Sequence, residues 1–230
     1  MTINQEWMDW INLNISRGCD KEGIYKILID EGFDPSDIEK QMGYQPEVDI
    51  DDIPIYTSVG FKKEKLNAKL FAKIKVFYEE NKNNSEVEIV KGFIHTSKDN
   101  QPASRLVNLT DNLRKEIHMS LKPELEEWAN TQLESTAVYG IRIYGKDAVL
   151  EEHRDREQTH IVSAIINVDQ DVDSDWPLVI DDHHCRKHHM LLSPGEVLFY
   201  EGARLKHGRP IPLNGQNYAN IFCHFKVGIQ

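Results

Sequence analysis

The sequence lacks a cysteine framework: Cys19, Cys185 and Cys223 are the only three in 230 residues, an odd number at wide spacing. That excludes the disulfide scaffold of small secreted domains and sets a reducing, cytoplasmic compartment as the expectation. Long apolar runs are missing too. None approaches the roughly 20 residues needed to span a bilayer, and Met1–Trp10 has neither the basic start nor the apolar stretch of a secretory signal. Positive charge is short as well, with 27 Lys and Arg against 38 acidic residues and a formal net charge of −11. Nucleic acids and anionic membranes are recognised by excess positive charge, so neither is expected as the main partner. A cationic partner suits the balance better. What the sequence has in excess is histidine: eight of its ten lie between His153 and His224, which directs the search for chemistry to the second half.

The pattern along the chain suggests three parts. Residues 1–45 read as three short helices, with apolar stripes through Trp7, Trp10 and Ile11, then Ile24, Ile27 and Leu28, and a third helix opened by Pro35. With its Gly32-Phe33 corner this unit resembles the ubiquitin-associated type of three-helix module; the alternative is a unit that simply packs on the main domain. It is also the part expected to dock a protein partner. Residues 46–60, rich in Glu and Asp, read as an acidic, solvated linker. From 61 to 135 helical spacing dominates, over Lys62–Asn81 and again over about Asn112–Leu133, with one strand at Val87–Phe93 and Pro123 opening a second helix.

Beyond Ser135 the apolar period changes to two. Strands are predicted at Val138–Tyr144, His160–Val168, Pro177–Ile180, His188–Leu192, Glu196–Tyr200 and Tyr218–Lys226, joined by turns such as Gly145-Lys146-Asp147 and Leu213-Asn214-Gly215. Short strands at regular spacing after a block of helices predict an α+β fold, a two-sheet jelly roll with helices outside one sheet.

The sharpest motif is His153-Arg154-Asp155, read with His207. In extended chain, residues i and i+2 point to one face, so an imidazole and a carboxylate could meet one ion. His207 follows 52 residues after Asp155, a distance that fits return on a neighbouring strand. Two histidines and one carboxylate are the ligand set of mononuclear non-haem Fe(II) oxygenases, because three protein ligands leave three positions of an octahedral ion open.

Around this motif residues 137–226 resemble the catalytic core of 2-oxoglutarate/Fe(II)-dependent dioxygenases, in particular the prolyl-4-hydroxylase-like branch. The resemblance runs through Val138–Tyr144, His153-Arg154-Asp155, Ile161–Val168, Ser193-Pro194-Gly195-Glu196 leading into Val197–Tyr200, and His207-Gly208-Arg209-Pro210 continuing to Phe225. It implies a double-stranded β-helix over 61–230, with helical support at 61–135 and core strands at 137–226. It also implies Fe(II), 2-oxoglutarate and O₂ as cofactor and co-substrates, with ascorbate as an accessory reductant, and His153, Asp155 and His207 as metal ligands. Hydroxylation of an amino-acid side chain, in a peptide, a protein or a small amino-acid-like molecule, would follow. Tyr144, nine residues before His153, matches the tyrosine that contacts 2-oxoglutarate in that branch.

In one respect the sequence departs from the branch. A Lys or Arg usually stands about ten residues after the distal histidine to pair with the remote carboxylate of the oxo-acid. Here that position is Asn217, which offers a hydrogen bond without the charge. Arg209 and Arg142 are the two replacements that share a strand face with His207 and Tyr144, respectively. A zinc or manganese hydrolase or isomerase on the same barrel, and a non-catalytic binding module, are the alternatives. The histidine-rich run Asp181–His189 reads as a polar hairpin loop instead of a zinc site, and His160 and His224 as satisfied strand histidines.

Overall fold

Three helices form where the first 44 residues carry apolar side chains at helical spacing. In the computed structural model, which describes residues 3–44, 50–90, 92–97 and 101–228, they are α1 (Gln5–Ser16), α2 (Lys21–Asp30) and α3 (Pro35–Met42). Asn4 and Asp20 cap the first two, accepting from the amides of Trp7 and Gly23. Ile11, Ile24, Leu28, Phe33 and Ile38 close a core of their own. The chain divides at this point into two units, residues 1–52 and 53–230.

The second unit begins with a stretch of the expected linker. Residues 45–49 lie outside the described residues, but the part that follows is held in place. Ile53 is buried, and the amide and hydroxyl of Thr57 donate to the buried carboxylate of Glu201 at 2.9 and 2.7 Å. After it come β1 (Phe61–Lys65), α4 (Ala68–Asn81), β2 (Glu86–Glu88), β3 (Ile94–Thr96), β4 (Ser104–Val107) and α5 (Asp111–Ala129). The core strands are β5 (Leu133–Gly145), β6 (Ala148–His153), β7 (Val162–Val172), β8 (Leu178–Asp181), β9 (Lys187–Met190), β10 (Glu196–Tyr200), β11 (His207–Arg209) and β12 (Gly215–Val227).

Two antiparallel sheets face each other, one in the order β1-β10-β7-β12-β5-β4-β2 and the other β3-β6-β11-β8-β9. Alternation sorts the side chains. On β7, Val162, Ala164, Ile166 and Val168 join Ile74 of α4 and Ile117 and Leu121 of α5 in a core outside the larger sheet. Ile165 points the other way, into the space between the sheets, with Tyr144, Leu150, Trp176, Ile180, Tyr200, Tyr218 and Phe222. The fold is therefore the jelly roll that the sequence predicts, with helices on one face.

The differences are local. Lys62–Lys65, predicted as the start of a helix, belongs instead to β1, which pairs with β10; Asn67 follows it and caps α4 by accepting from the amides of Lys69 and Leu70. Pro123 lies inside a single α5. The carbonyl it leaves without a partner belongs to Met119, on the exposed side of the helix, where water can satisfy it. The strand predicted over Val87–Phe93 shrinks to β2. The run Asp181–His189 is a hairpin between β8 and β9, its turn held by Asp182, whose carboxylate accepts from the amides of His184 and Arg186 and from Arg186 Nε. No helix among the described residues is long and apolar enough to cross a membrane.

Candidate metal centre

Because β6 and β11 are antiparallel neighbours with His153 and His207 in register, two histidines 54 residues apart stand side by side, their rings 4.7 Å apart. Asp155 follows just past the end of β6. Its amide donates to the carbonyl of Gly202 at 2.9 Å, which turns the carboxylate back toward the imidazoles. Oδ1 of Asp155 lies 3.7 Å from Nε2 of His153 and 3.7 Å from Nε2 of His207. One ligand atom from each of the three residues falls within 4.8 Å of the others.

The tautomers are fixed by the backbone. Nδ1 of His153 lies 2.7 Å from the carbonyl of Glu151, and Nδ1 of His207 lies 2.8 Å from that of Leu205. A carbonyl only accepts, so each Nδ1 carries a proton and each Nε2 is the nitrogen turned toward Asp155. Burial, aided by neighbouring His207, lowers the His153 imidazole to about 4, so it is neutral at physiological pH. Burial alone would raise Asp155, but the four imidazoles of His207, His224, His160 and His153 outweigh it and hold the carboxyl well below the usual range. The result is an anionic oxygen and two imidazole nitrogens on one spot, the donor set a divalent metal takes.

The other carboxylate oxygen, Oδ2, faces away from the histidine pair. Gly202 packs so closely against it that a methyl group there would overlap Oδ2 and crowd the Ser163 hydroxyl. The carboxylate can swing aside more easily than the backbone can move. Gly202→Ala is therefore expected to leave the protein folded and to weaken Fe(II) binding about tenfold or more, measured by anaerobic calorimetric titration. Unchanged affinity would show that Asp155 does not take part.

Between the sheets the polar residues continue away from this cluster. The ring of Tyr200 lies 4.7 Å from that of His207, and its hydroxyl faces Asp155 on one side and Tyr144 on the other. Tyr144 is fully buried, its ring 5.1 Å from Trp176, and its hydroxyl faces the Arg142 guanidinium without closing a well-formed hydrogen bond among the described residues. Burial pushes this phenol up, so it keeps its proton to donate. The two arginines named from the sequence differ. Arg142 gives a two-pronged pair to Glu88, Nε and Nη2 each 2.7 Å from a carboxylate oxygen, and is thereby neutralised. Arg209 is 1% exposed, lies 4.6 Å over Trp176 and 4.4 Å over Tyr218, and donates one Nη to the Trp176 carbonyl. Its other Nη has no partner, and no carboxylate among the described residues pairs with it.

Asn217 falls outside the group. It is paired with Gly145 beside the Tyr218–Tyr144 pair, and since Tyr218 faces the interior, alternation turns Asn217 to the other side of the sheet. The role open to it on the sequence therefore has no geometric basis. Three residues not assigned to the site from the sequence border it: Glu88, which occupies Arg142, and Ser163 and His224, the latter read as a satisfied strand histidine, which stand behind Asp155. His224 could have been found by its period-two spacing with Phe222; Glu88, 54 residues from its arginine, carries no such signal.

No sequence-defined family and no curated protein matches the chain. Solved structures do. The fold resembles a prolyl-4-hydroxylase from Pseudomonas putida at 13% identity and TM-score 0.51, over 74% of this chain and 94% of that one. It resembles HygX from Streptomyces hygroscopicus, determined with nickel, 2-oxoglutarate and hygromycin B, at 13% identity and TM-score 0.55, over 74% and 84%. A third likeness is to a prolyl hydroxylase from Trichoplax adhaerens in complex with a hypoxia-inducible-factor peptide, at 10% identity and TM-score 0.53, over 77% and 87%. At these identities the likeness establishes the shared fold.

Proposed function

We propose that this chain is an Fe(II)- and 2-oxoglutarate-dependent dioxygenase that hydroxylates an amino-acid side chain, with peptide or protein as the substrate class. One observation carries the reading. The two Nε2 atoms and Asp155 Oδ1 converge beside an interior that holds a buried arginine with no acidic partner among the described residues. An unpaired buried cation is costly unless a ligand supplies the counter-charge, and a dicarboxylic oxo-acid is such a ligand.

His153, Asp155 and His207 would hold the iron. Bound there with 2-oxoglutarate and O₂, it supplies the oxidant for C–H hydroxylation, one oxygen atom going to the substrate and the other to succinate, with CO₂ released. The chain's own residues bind and orient. Arg209 offers a guanidinium N–H and Tyr144 its hydroxyl, both unsatisfied, to the remote carboxylate of the oxo-acid. Trp176 and Tyr218 flank the guanidinium and keep water from it. Phe93, edge-on to His153 at 5.0 Å, covers the metal cluster from the β3 side. His207 is buried while His153 and Asp155 are partly open, so substrate would approach from the His153 side. The complexes of the two relatives with a peptide and with hygromycin B support a peptide-sized or small organic substrate.

Anaerobic addition of Fe(II) and then 2-oxoglutarate is expected to produce the weak visible charge-transfer band of the chelate, and exposure to air without substrate to yield slow succinate. Absence of both would overturn the reading. Binding of Zn(II) or Mn(II) with no response to 2-oxoglutarate would favour the hydrolase alternative.

A further inference from the structure

Behind the ligand cluster lies a buried group of side chains that the proposed reaction does not use. Ser163 Oγ is 3.4 Å from Asp155 Oδ2 and 2.8 Å from His224 Nδ1. His224 Nδ1 is itself 3.9 Å from the same carboxylate oxygen. Ser163 is fully buried and His224 is 3% exposed. His224 is stacked on His160, with ring centroids 3.8 Å apart, and His160 Nε2 lies 3.0 Å from the hydroxyl of Tyr139. Tyr139 packs edge-on to His224 at 5.5 Å. Alternation along β7 and β12, paired through Ser163 and His224, brings both residues to the same side as Asp155.

The Ser163 hydroxyl donates its single proton to Asp155 Oδ2. The hydroxyl oxygen is then left to accept, and His224 Nδ1–H is the donor beside it. The line is His224 Nδ1–H to Ser163 Oγ–H to Asp155 Oδ2, with the imidazole fixed in its plane by the stack on His160. Oδ1, meanwhile, is the oxygen that faces both metal-ligating nitrogens.

We infer that Ser163 and His224 are positioning residues that hold Asp155 to one-oxygen ligation. The inference rests on the metal reading above and deepens it. A carboxylate free to rotate can chelate an ion through both oxygens and occupy a further coordination position. With Oδ2 engaged, Asp155 offers one oxygen, so three positions remain for a two-point oxo-acid and a third ligand. Residues behind a metal ligand orient it and tune its affinity; here they also set how many sites it fills.

Co(II) in place of iron gives a readout apart from turnover, because its visible d–d absorption reports coordination number. Ser163→Ala and His224→Leu are each expected to raise the Co(II) dissociation constant about tenfold and to shift the d–d band. Both should also weaken 2-oxoglutarate binding to the Co(II)-loaded protein. His224→Asn, which keeps an N–H near the Nδ1 position, is expected to retain the wild-type band and an affinity within about threefold. A merely structural role for His224 would not distinguish Asn from Leu in the spectrum. Wild-type affinity and an unchanged band in both Ser163→Ala and His224→Leu would overturn the inference while leaving the metal site standing. Failure of the wild-type protein to bind Co(II), or binding indifferent to Asp155→Ala, would overturn the metal reading and this inference with it.

Discussion

Asp155→Ala is expected to abolish the 2-oxoglutarate-dependent charge-transfer band and any succinate production, and to lower Fe(II) affinity by more than the roughly 10–100-fold that outer partners of a metal ligand carry. The argument is one of charge and of count. Two imidazoles remain, and they supply neither the negative charge that balances a divalent ion nor the third ligand that fixes it. Imidazole lone pairs at Nε2 are held by the Glu151 and Leu205 carbonyls whatever happens at residue 155, so the histidines stay in place and the effect belongs to the carboxylate. The backbone anchor to Gly202 is also independent of the side chain, so the fold should be kept and circular dichroism should be unchanged. Asp155→Asn separates the two contributions: it keeps the shape and one oxygen ligand but not the charge. An intermediate Fe(II) affinity is expected for it. If Asp155→Ala binds Fe(II) as tightly as the wild type, the three residues are not a metal site.

How much of this could be read from the sequence depended on whether the partner of each residue was close along the chain. His153 and Asp155 announce themselves because extended backbone puts i and i+2 on one face. The strand at Val162–Val172 is legible from its β-branched alternation, and α1 and α2 from their apolar spacing and caps. Phe61–Lys65 was not legible. Phe-Lys-Lys-Glu-Lys is a good helix-former by composition, and only its pairing with Glu196–Tyr200, more than 130 residues on, makes it a strand. Arg209 stands ahead of Arg142 on the sequence because it lies two residues from His207, but what occupies Arg142 is not local to it. Both sit at suitable positions on their strands, and what separates them is Glu88, on a three-residue strand with no period to betray it. His224 was seen but judged by its local context as a strand histidine; the Ser163 and Asp155 that give it a purpose lie 61 and 69 residues earlier.

Arg209→Met is expected to raise the dissociation constant for 2-oxoglutarate by about 100-fold. A hydrogen bond to a charged group contributes about 1.5–3 kcal/mol, so loss of the guanidinium contact with a carboxylate reaches that size even after Tyr144 is left to donate alone. Arg209→Lys keeps the charge but not the planar fork, and its affinity should fall between the two. A second consequence distinguishes a ligand-binding cation from a structural one. Without an oxo-acid the guanidinium is buried with one Nη unsatisfied and no carboxylate among the described residues beside it, which counts against the folded state. A methionine of similar length between Trp176 and Tyr218 removes that burden. The metal-free Arg209→Met protein is therefore expected to melt about 2–4 °C higher than the wild type, and to lose the upward shift that saturating 2-oxoglutarate gives the Fe(II)-loaded wild type through linkage. Arg142→Met should behave in the opposite way. It strands the Glu88 carboxylate, 14% exposed beside its lost partner, so the protein should melt lower. Were Arg209→Met to keep the full 2-oxoglutarate shift, and Arg142→Met to lose it without loss of stability, the Glu88 pair would have to open on binding, and Arg142 would be the cation.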